Sequence, residues 1–139
     1  MLNHAIQTAE ANAHHRWLTL FRLYAAWLHL EAGNPIQAQT ICRRVRSETN
    51  DHRFPFGELM SGVLYGRSLQ GLDRTDEALA WFDQQVAKLD QNRMFMDWIW
   101  RMPLPLGRGE CRQVLGQRSG TIADAELVCR LASGPGERT

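Results

Sequence analysis

The sequence predicts an all-α array of antiparallel helical hairpins, and three observations carry that prediction. Apolar residues recur at helical rather than alternating spacing along most of the chain. Small residues come in pairs twelve apart, namely Ala26 with Ala38, Gly66 with Ala78, and Gly109 with Thr121. A turn residue, Gly33, Asp73 or Gly116, falls seven positions after the first member of each pair. Each small residue therefore sits near the middle of a helix, where two backbones can approach closely, and each turn residue sits where the chain reverses. Aspartate tolerates the left-handed conformation better than most residues, so Asp73 substitutes for glycine in the second turn.

The elements follow in order. Leu2 to about Ala11 spaces Leu2, Ala5, Ile6 and Ala9 as a narrow apolar stripe on a short helix, the second half of a hairpin whose first half is missing. A polar connection, Asn12 to Arg16, leads into Trp17 to Ala32, a helix apolar over most of its circumference and so expected to be buried on more than one side. Gly33-Asn34-Pro35 ends that helix, caps the next and opens its first turn. Ile36 to about Glu48 sets Ala38, Ile41, Cys42 and Val45 on one face, with the basic cluster Arg43-Arg44-Arg46 on a solvated one.

Thr49 to Gly57 carries the turn residues Asn50, Asp51, Pro55 and Gly57, and its His52-Arg53-Phe54 echoes His15-Arg16-Trp17. The stretch from Leu64 to Leu89 reads as two helices packed through Gly66 and Ala78, with a turn at Leu72 to Thr75. Asp90 to Arg93 is a second polar connection. Phe95 to Leu115 resumes the apolar pattern with Trp98, Ile99 and Trp100 as core residues, interrupted by Pro103 and Pro105, which predict a kink or break near residues 102–105. Gly116 to Gly120 is the last turn, Thr121 to Ala132 the last helix, and 134–139 a flexible tail.

A chain of 139 residues with 44% hydrophobic residues is long and apolar enough for one domain, taken as 1–133 with units at about 17–48, 58–90 and 95–133. The net charge of +1 gives no field that steers the protein to nucleic acid or an anionic membrane. Cys42, Cys111 and Cys129 form no CxxC pair and no secretory signal is visible, so a cytoplasmic setting is expected. Cys42 and Cys129 read as small hydrophobes on apolar helix faces.

No catalytic set emerges. His14, His15, His52 and Asp51 lie in expected connections without metal-ligand spacing. Glu77, Asp83 and Glu110 assemble into no acid-base pair, and Gly107-Arg108-Gly109 lacks the lysine and spacing of a phosphate cradle. The expectation is a protein that is not an enzyme and carries no metal or cofactor.

The small residue in a first helix, the turn glycine, and the Ala78 followed four residues later by Phe82 resemble the tetratricopeptide repeat. The repeat length of 40 and then 43 residues between turns exceeds the usual spacing. In that respect the chain resembles the long-repeat solenoids at the C-terminal ends of bacterial ATPase-coupled transcriptional regulators and of some nucleotide cyclases. The third unit departs from the pattern at Thr121 and at its prolines, and Thr121 to Asp124 also reads as a capping pattern.

The resemblance implies a right-handed solenoid of one leading helix and three hairpins, with the first helix of each unit lining a concave face. The groove positions carried over are Leu23, Trp27 and Leu30 in the first unit, Val63, Arg67 and Gln70 in the second, and Glu110 and Gln113 in the third. Such a face suits a protein or peptide partner in a scaffold, with no nucleic acid bound directly and no membrane. The rival expectation is a segment that senses a small effector for an ATPase-coupled regulator or cyclase. The last helix offers Ile122, Ala125, Val128, Cys129, Leu131 and Ala132, more apolar surface than one neighbour covers. The chain is thus expected to be a piece of a longer array, or to self-associate through its uncapped ends.

Overall fold

The computed structural model describes residues 2–11, 15–52, 54–88 and 101–133. Among these there are seven helices and no strand: α1 (Leu2–Ala11), α2 (His15–Glu31), α3 (Pro35–His52), α4 (Pro55–Gly71), α5 (Thr75–Ala87), α6 (Pro103–Val114) and α7 (Arg118–Ser133). Among the described residues the order is a leading helix followed by three helix pairs. The chain divides into two compact units, Met1–Leu72 and Asp73–Thr139, with the division in the turn after α4.

The three predicted turns are built alike. Gly33 and Gly116 have φ of 80° and 76°, and Asp73 is the non-glycine residue at positive φ among the described residues, at 57°. After α2, the Asn34 amide donates to His29 O at 2.7 Å and the Gly33 amide to Leu30 O at 3.1 Å. After α6, Gln117 donates to Arg112 O and Gly116 to Gln113 O at the same two distances. This is the Schellman pattern, in which a left-handed residue lets the last carbonyls of a helix find donors. In all three turns the carbonyl three residues after the helix, of Asn34, Arg74 or Gln117, accepts the first bond of the next helix.

In the first unit α3 packs on α2 and α4, α2 packs on α4, and α1 packs on α2. Leu23 and Ala26 of α2 meet Ala38, Cys42 and Val45 of α3 and Met60, Val63 and Leu64 of α4 in a buried core. Ala26 and Ala38, a predicted contact pair, are both fully buried. Arg22 spans from α2 to Glu48 of α3, which also accepts from Arg44 Nε at 3.3 Å. Arg46 reaches α4, donating to Ser61 Oγ at 3.3 Å and Glu58 O at 3.4 Å. Two of the three arginines expected in solvent thus engage α4: Arg46 through these bonds, and Arg43 with its guanidinium 6.0 Å from the Tyr65 ring centroid.

Helix ends differ from the sequence reading in several places. His15 and Arg16 belong to the first turn of α2 rather than to a connection. The expected turn at 49–57 is almost absent, because α3 continues to His52 and α4 starts at Pro55. Pro55 occupies the first helical position, where a missing amide donor leaves no bond unmade. Gly57 is in that first turn for space: a Cβ there would lie 2.8 Å from Phe54 Cδ2 and 3.1 Å from Thr19 Cγ2. The echo between His15-Arg16-Trp17 and His52-Arg53-Phe54 has no structural counterpart, since His15 opens a helix and His52 closes one.

In the second unit α6 packs on both α5 and α7. Arg101 is helical, Met102 is a turn residue and α6 starts at Pro103, so the expected break falls at Met102; Pro103 and Pro105 occupy the first and third positions of α6, where amides lack intrahelical acceptors in any case. The first bond of this helix runs from Leu106 N to Met102 O at 3.2 Å. The α7 helix begins at Arg118, so Thr121 lies within it and caps nothing. Instead the Thr121 hydroxyl donates to Gly109 O at 3.4 Å, and a Cβ on Gly109 would stand 3.1 Å from Asp124 Cβ. The twelve-residue pairing is therefore a real α6–α7 contact, with threonine where alanine was expected.

Gly66 is buried in α4 and Ala78 in α5. The expected core residues Trp98, Ile99 and Trp100, the connection at Asp90 to Arg93 and the tail at 134–139 lie outside the described residues.

Candidate partner-binding surfaces

The apolar circumference of α2 is not wholly covered. One stripe, Thr19, Arg22, Leu23 and Ala26, is buried, while Trp27 and Leu28 keep 42% and 60% of their surface in solvent, and Trp17 and Tyr24 are also exposed. The expectation that this helix is buried on more than one side fails along that second stripe. The exposed rings are ordered against each other: Tyr24 and Trp27 stack with centroids 6.4 Å apart and an interplanar angle of 21°.

Beside this stripe lies a groove of about 720 Å³ between α1 and α2. Leu2 and Ala5 form the α1 wall; Phe21, Tyr24, Trp27 and Leu28 form the α2 wall. Glu31 closes one end, in the last turn of α2, and its Oε1 accepts from Trp27 Nε1 at 3.2 Å. The groove is apolar along its length and acidic at that end, since the carbonyl end of a helix adds partial negative charge to that of the carboxylate.

The groove positions taken from the repeat pattern separate by burial. Leu23 and Val63 are buried in the first unit and offer no surface to a partner; their place is the core. Trp27 and Arg67 are exposed, and Leu30 and Gln70 are half-buried, all in the first unit. Glu110 and Gln113 are exposed on α6 of the second.

The second unit also holds an ionic cluster that the sequence reading did not assemble. Asp124 is only 1% exposed, and its Oδ1 accepts from Arg108 Nε at 2.8 Å and Nη2 at 2.6 Å, while its Oδ2 accepts from Arg112 Nη1 at 3.0 Å. Asp83 Oδ1 completes the group, 3.4 Å from Arg108 and 3.6 Å from Arg112. Two arginines and two carboxylates cancel, so the cluster ties α5, α6 and α7 together rather than presenting charge to a ligand. Arg108 and Arg112, four apart on α6, were the available signal.

Cys42 and Cys111 are buried, whereas Cys129 is exposed, contrary to the small-hydrophobe reading of that residue. Burial pushes the Cys42 thiol up from its ordinary value of 9.0 to about 12, with the Arg46 charge acting in the other direction. Burial also lowers Arg46, against the opposing fields of Glu58, Cys42 and Tyr65. Ile122, Ala125 and Ala132 of α7 are exposed as well. Among the described residues no group of three metal-ligating side chains converges, and no helix is long and apolar enough to cross a membrane.

Comparison with known proteins agrees with this geometry where it finds anything. No curated protein and no solved structure matches the chain. The family model of the tetratricopeptide repeat matches at residues 19–44 and 60–84. The first match runs from α2 through the Gly33 turn into α3, and the second from α4 through the Asp73 turn into α5. With these two matches and its helix pairs, the chain is an all-α, tetratricopeptide-like helical repeat.

Proposed function

We propose that the chain is a non-enzymatic interaction module that holds a protein or peptide partner, within a larger cytoplasmic regulatory protein of the ATPase-coupled bacterial type. The carrying observation is the ordered aromatic face of α2, where Tyr24, Trp27 and Leu28 stand in solvent beside an apolar groove. Exposed, stacked aromatic residues of this kind supply most of the energy of protein interfaces. The exposed polar positions Arg67, Gln70, Glu110 and Gln113 fit the rim of such a surface, which fixes register more than affinity.

A second reading is a segment that senses a small effector, favoured by one observation: the groove volume falls within the range of about 300–1,000 Å³ typical of small-molecule sites. Affinity capture and a thermal-shift screen of metabolites on the same chain separate the two. The interaction reading expects a stoichiometric protein partner whose binding raises the melting temperature. A metabolite that stabilises the chain at micromolar concentration, with no protein recovered, would overturn it in favour of the sensor.

A further inference from the structure

We infer that the α1–α2 groove is the seat of an amphipathic helix from a partner, one with leucine-class residues along one face and a lysine or arginine in its last turn. The inference rests on the interaction reading above and names the partner's chemistry.

The first unit contains its own template for this site. Each helix of the trio α2, α3 and α4 packs on the other two, and the short connections make α2 and α4 run in the same direction. The α1–α2 pair stands in the same chain order as α3 and α4, a second helix of one unit in contact with the first helix of the next. In the trio, α2 covers both α3 and α4. The helix in the equivalent relation to α1 and α2 is absent from the described residues, and its position is the groove between Leu2 and Ala5 on one side and Tyr24, Trp27 and Leu28 on the other.

The exposure of those walls favours a helix over a small ligand. With Leu28 at 60% and Trp27 at 42% exposed, the groove is an open face rather than an enclosed pit, and a small molecule would leave much of both side chains in water. A helix laid along the groove covers them, as helix-in-groove recognition does with side chains at i, i+3, i+4 and i+7.

Charge sets its direction. A helix placed as α2 is placed on α4 runs parallel to α2, so its last turn lies beside Glu31 and the carbonyl end of α2. Two helix ends of the same negative sign meet there, and a basic side chain on the incoming helix offsets both. The same side chain is also favourable in the last turn of its own helix.

The test uses three fluorescent synthetic peptides and the 139-residue chain. All three have leucines at helical spacing over about four turns; one ends in lysine, one has glutamate in its place, and one repeats the lysine peptide with a central proline. Anisotropy titrations are expected to show the lysine peptide binding at least about tenfold more tightly than the glutamate peptide, and the proline peptide not at all. Leu28→Asp should weaken the lysine peptide by at least about tenfold while the chain keeps its melting curve, because Leu28 is largely exposed. Glu31→Lys should reverse the preference between the lysine and glutamate peptides.

Binding that neither substitution changes would overturn the site. A dimer of the chain in sedimentation that Leu28→Asp dissolves would assign the groove to a second copy and overturn the partner helix. Small apolar compounds that bind the groove while all three peptides fail would do the same in favour of a sensor. Capture of one stoichiometric protein by wild-type and Leu28→Asp chains alike would leave the interaction reading standing and reject this groove as its seat.

Discussion

The two units solve one packing problem with different chemistry. In the first, helices are held by large apolar side chains, Leu23, Met60 and Val63 among them, with arginines reaching across the margin to Glu48 and Ser61. In the second, glycines bring the helices close: a Cβ on Gly107 would lie 2.5 Å from Phe82 Cζ, and one on Gly109 would press on Asp124. There too a buried carboxylate, Asp124, sits between two arginines. An apolar contact tolerates exchange of one aliphatic residue for another of similar volume, whereas a buried ion and a glycine contact tolerate almost none. The second unit should accordingly be the more brittle.

Asp124→Ala offers the strongest test of that difference. Removing the carboxylate leaves two partly buried arginines with only the half-exposed Asp83 as counter-charge, and the expected loss is about 3 kcal/mol, confined to the second unit. Hydrogen exchange should show lost protection in α5, α6 and α7 with the α2–α4 core unchanged. Equal loss in both units would mean that they do not act separately.

Gly107→Ala comes next, at about 2 kcal/mol, since the Phe82 ring is buried and cannot withdraw freely. A denaturant titration measures it, with Gly71→Ala as the contrast: a Cβ on that exposed residue would meet Pro35 alone, 3.0 Å from its Cβ and 3.4 Å from its Cγ, and the substitution gains helix propensity. The same titration tests the expected Gly66 contact, where Gly66→Leu should exceed Gly71→Ala by about 1–3 kcal/mol.

The apolar unit has its own signature in alkali. The unfolded chain loses the Cys42 proton near its ordinary value of 9.0, and the folded chain holds it to about 12. This contribution is therefore fully present below pH 9 and declines as pH rises from there to 12, by about 1.4 kcal/mol per pH unit. Cys42→Ala should flatten that part of the stability profile. In the native chain at neutral pH, thiol reagents should label Cys129 well before Cys42 and Cys111.

The smallest effect is expected at Asp83→Ala, under about 1 kcal/mol, because half of its side chain faces solvent and its ion pairs are long. A larger loss would make Asp83 an equal partner of Asp124 and enlarge the cluster.

Turns were the most legible feature of the sequence, because a left-handed backbone admits few residue types and Gly33, Asp73 and Gly116 repeat at nearly constant spacing. Helix ends were less so. Asn50, Asp51, Pro55 and Gly57 have the composition of a loop, yet a helix tolerates polar residues in its last turn, proline in its first, and glycine wherever a neighbour crowds it. The exposed stripe of α2 was hidden for a different reason. Tyr24, Trp27 and Leu28 differ in no sequence property from the buried Leu23, and which side is covered depends on how many helices surround α2. The Asp124 cluster required knowing that residues 16 and 12 positions apart meet across a hairpin.

The three-residue turns have a consequence for how fast the chain folds. Within each unit, every helix packs on its neighbour in sequence or the next but one, so native contacts close only short loops. Chains of low contact order reach the native state in about microseconds to milliseconds, and a hairpin such as α2–α3 or α6–α7 can nucleate without waiting for distant segments. The left-handed residue at each turn then acts on rate as well as on stability: Gly33→Ala should slow folding of the first unit by strain in the turn that brings α2 and α3 together. In stopped-flow measurements its effect would appear in the folding limb, whereas a late contact would shift only the unfolding limb.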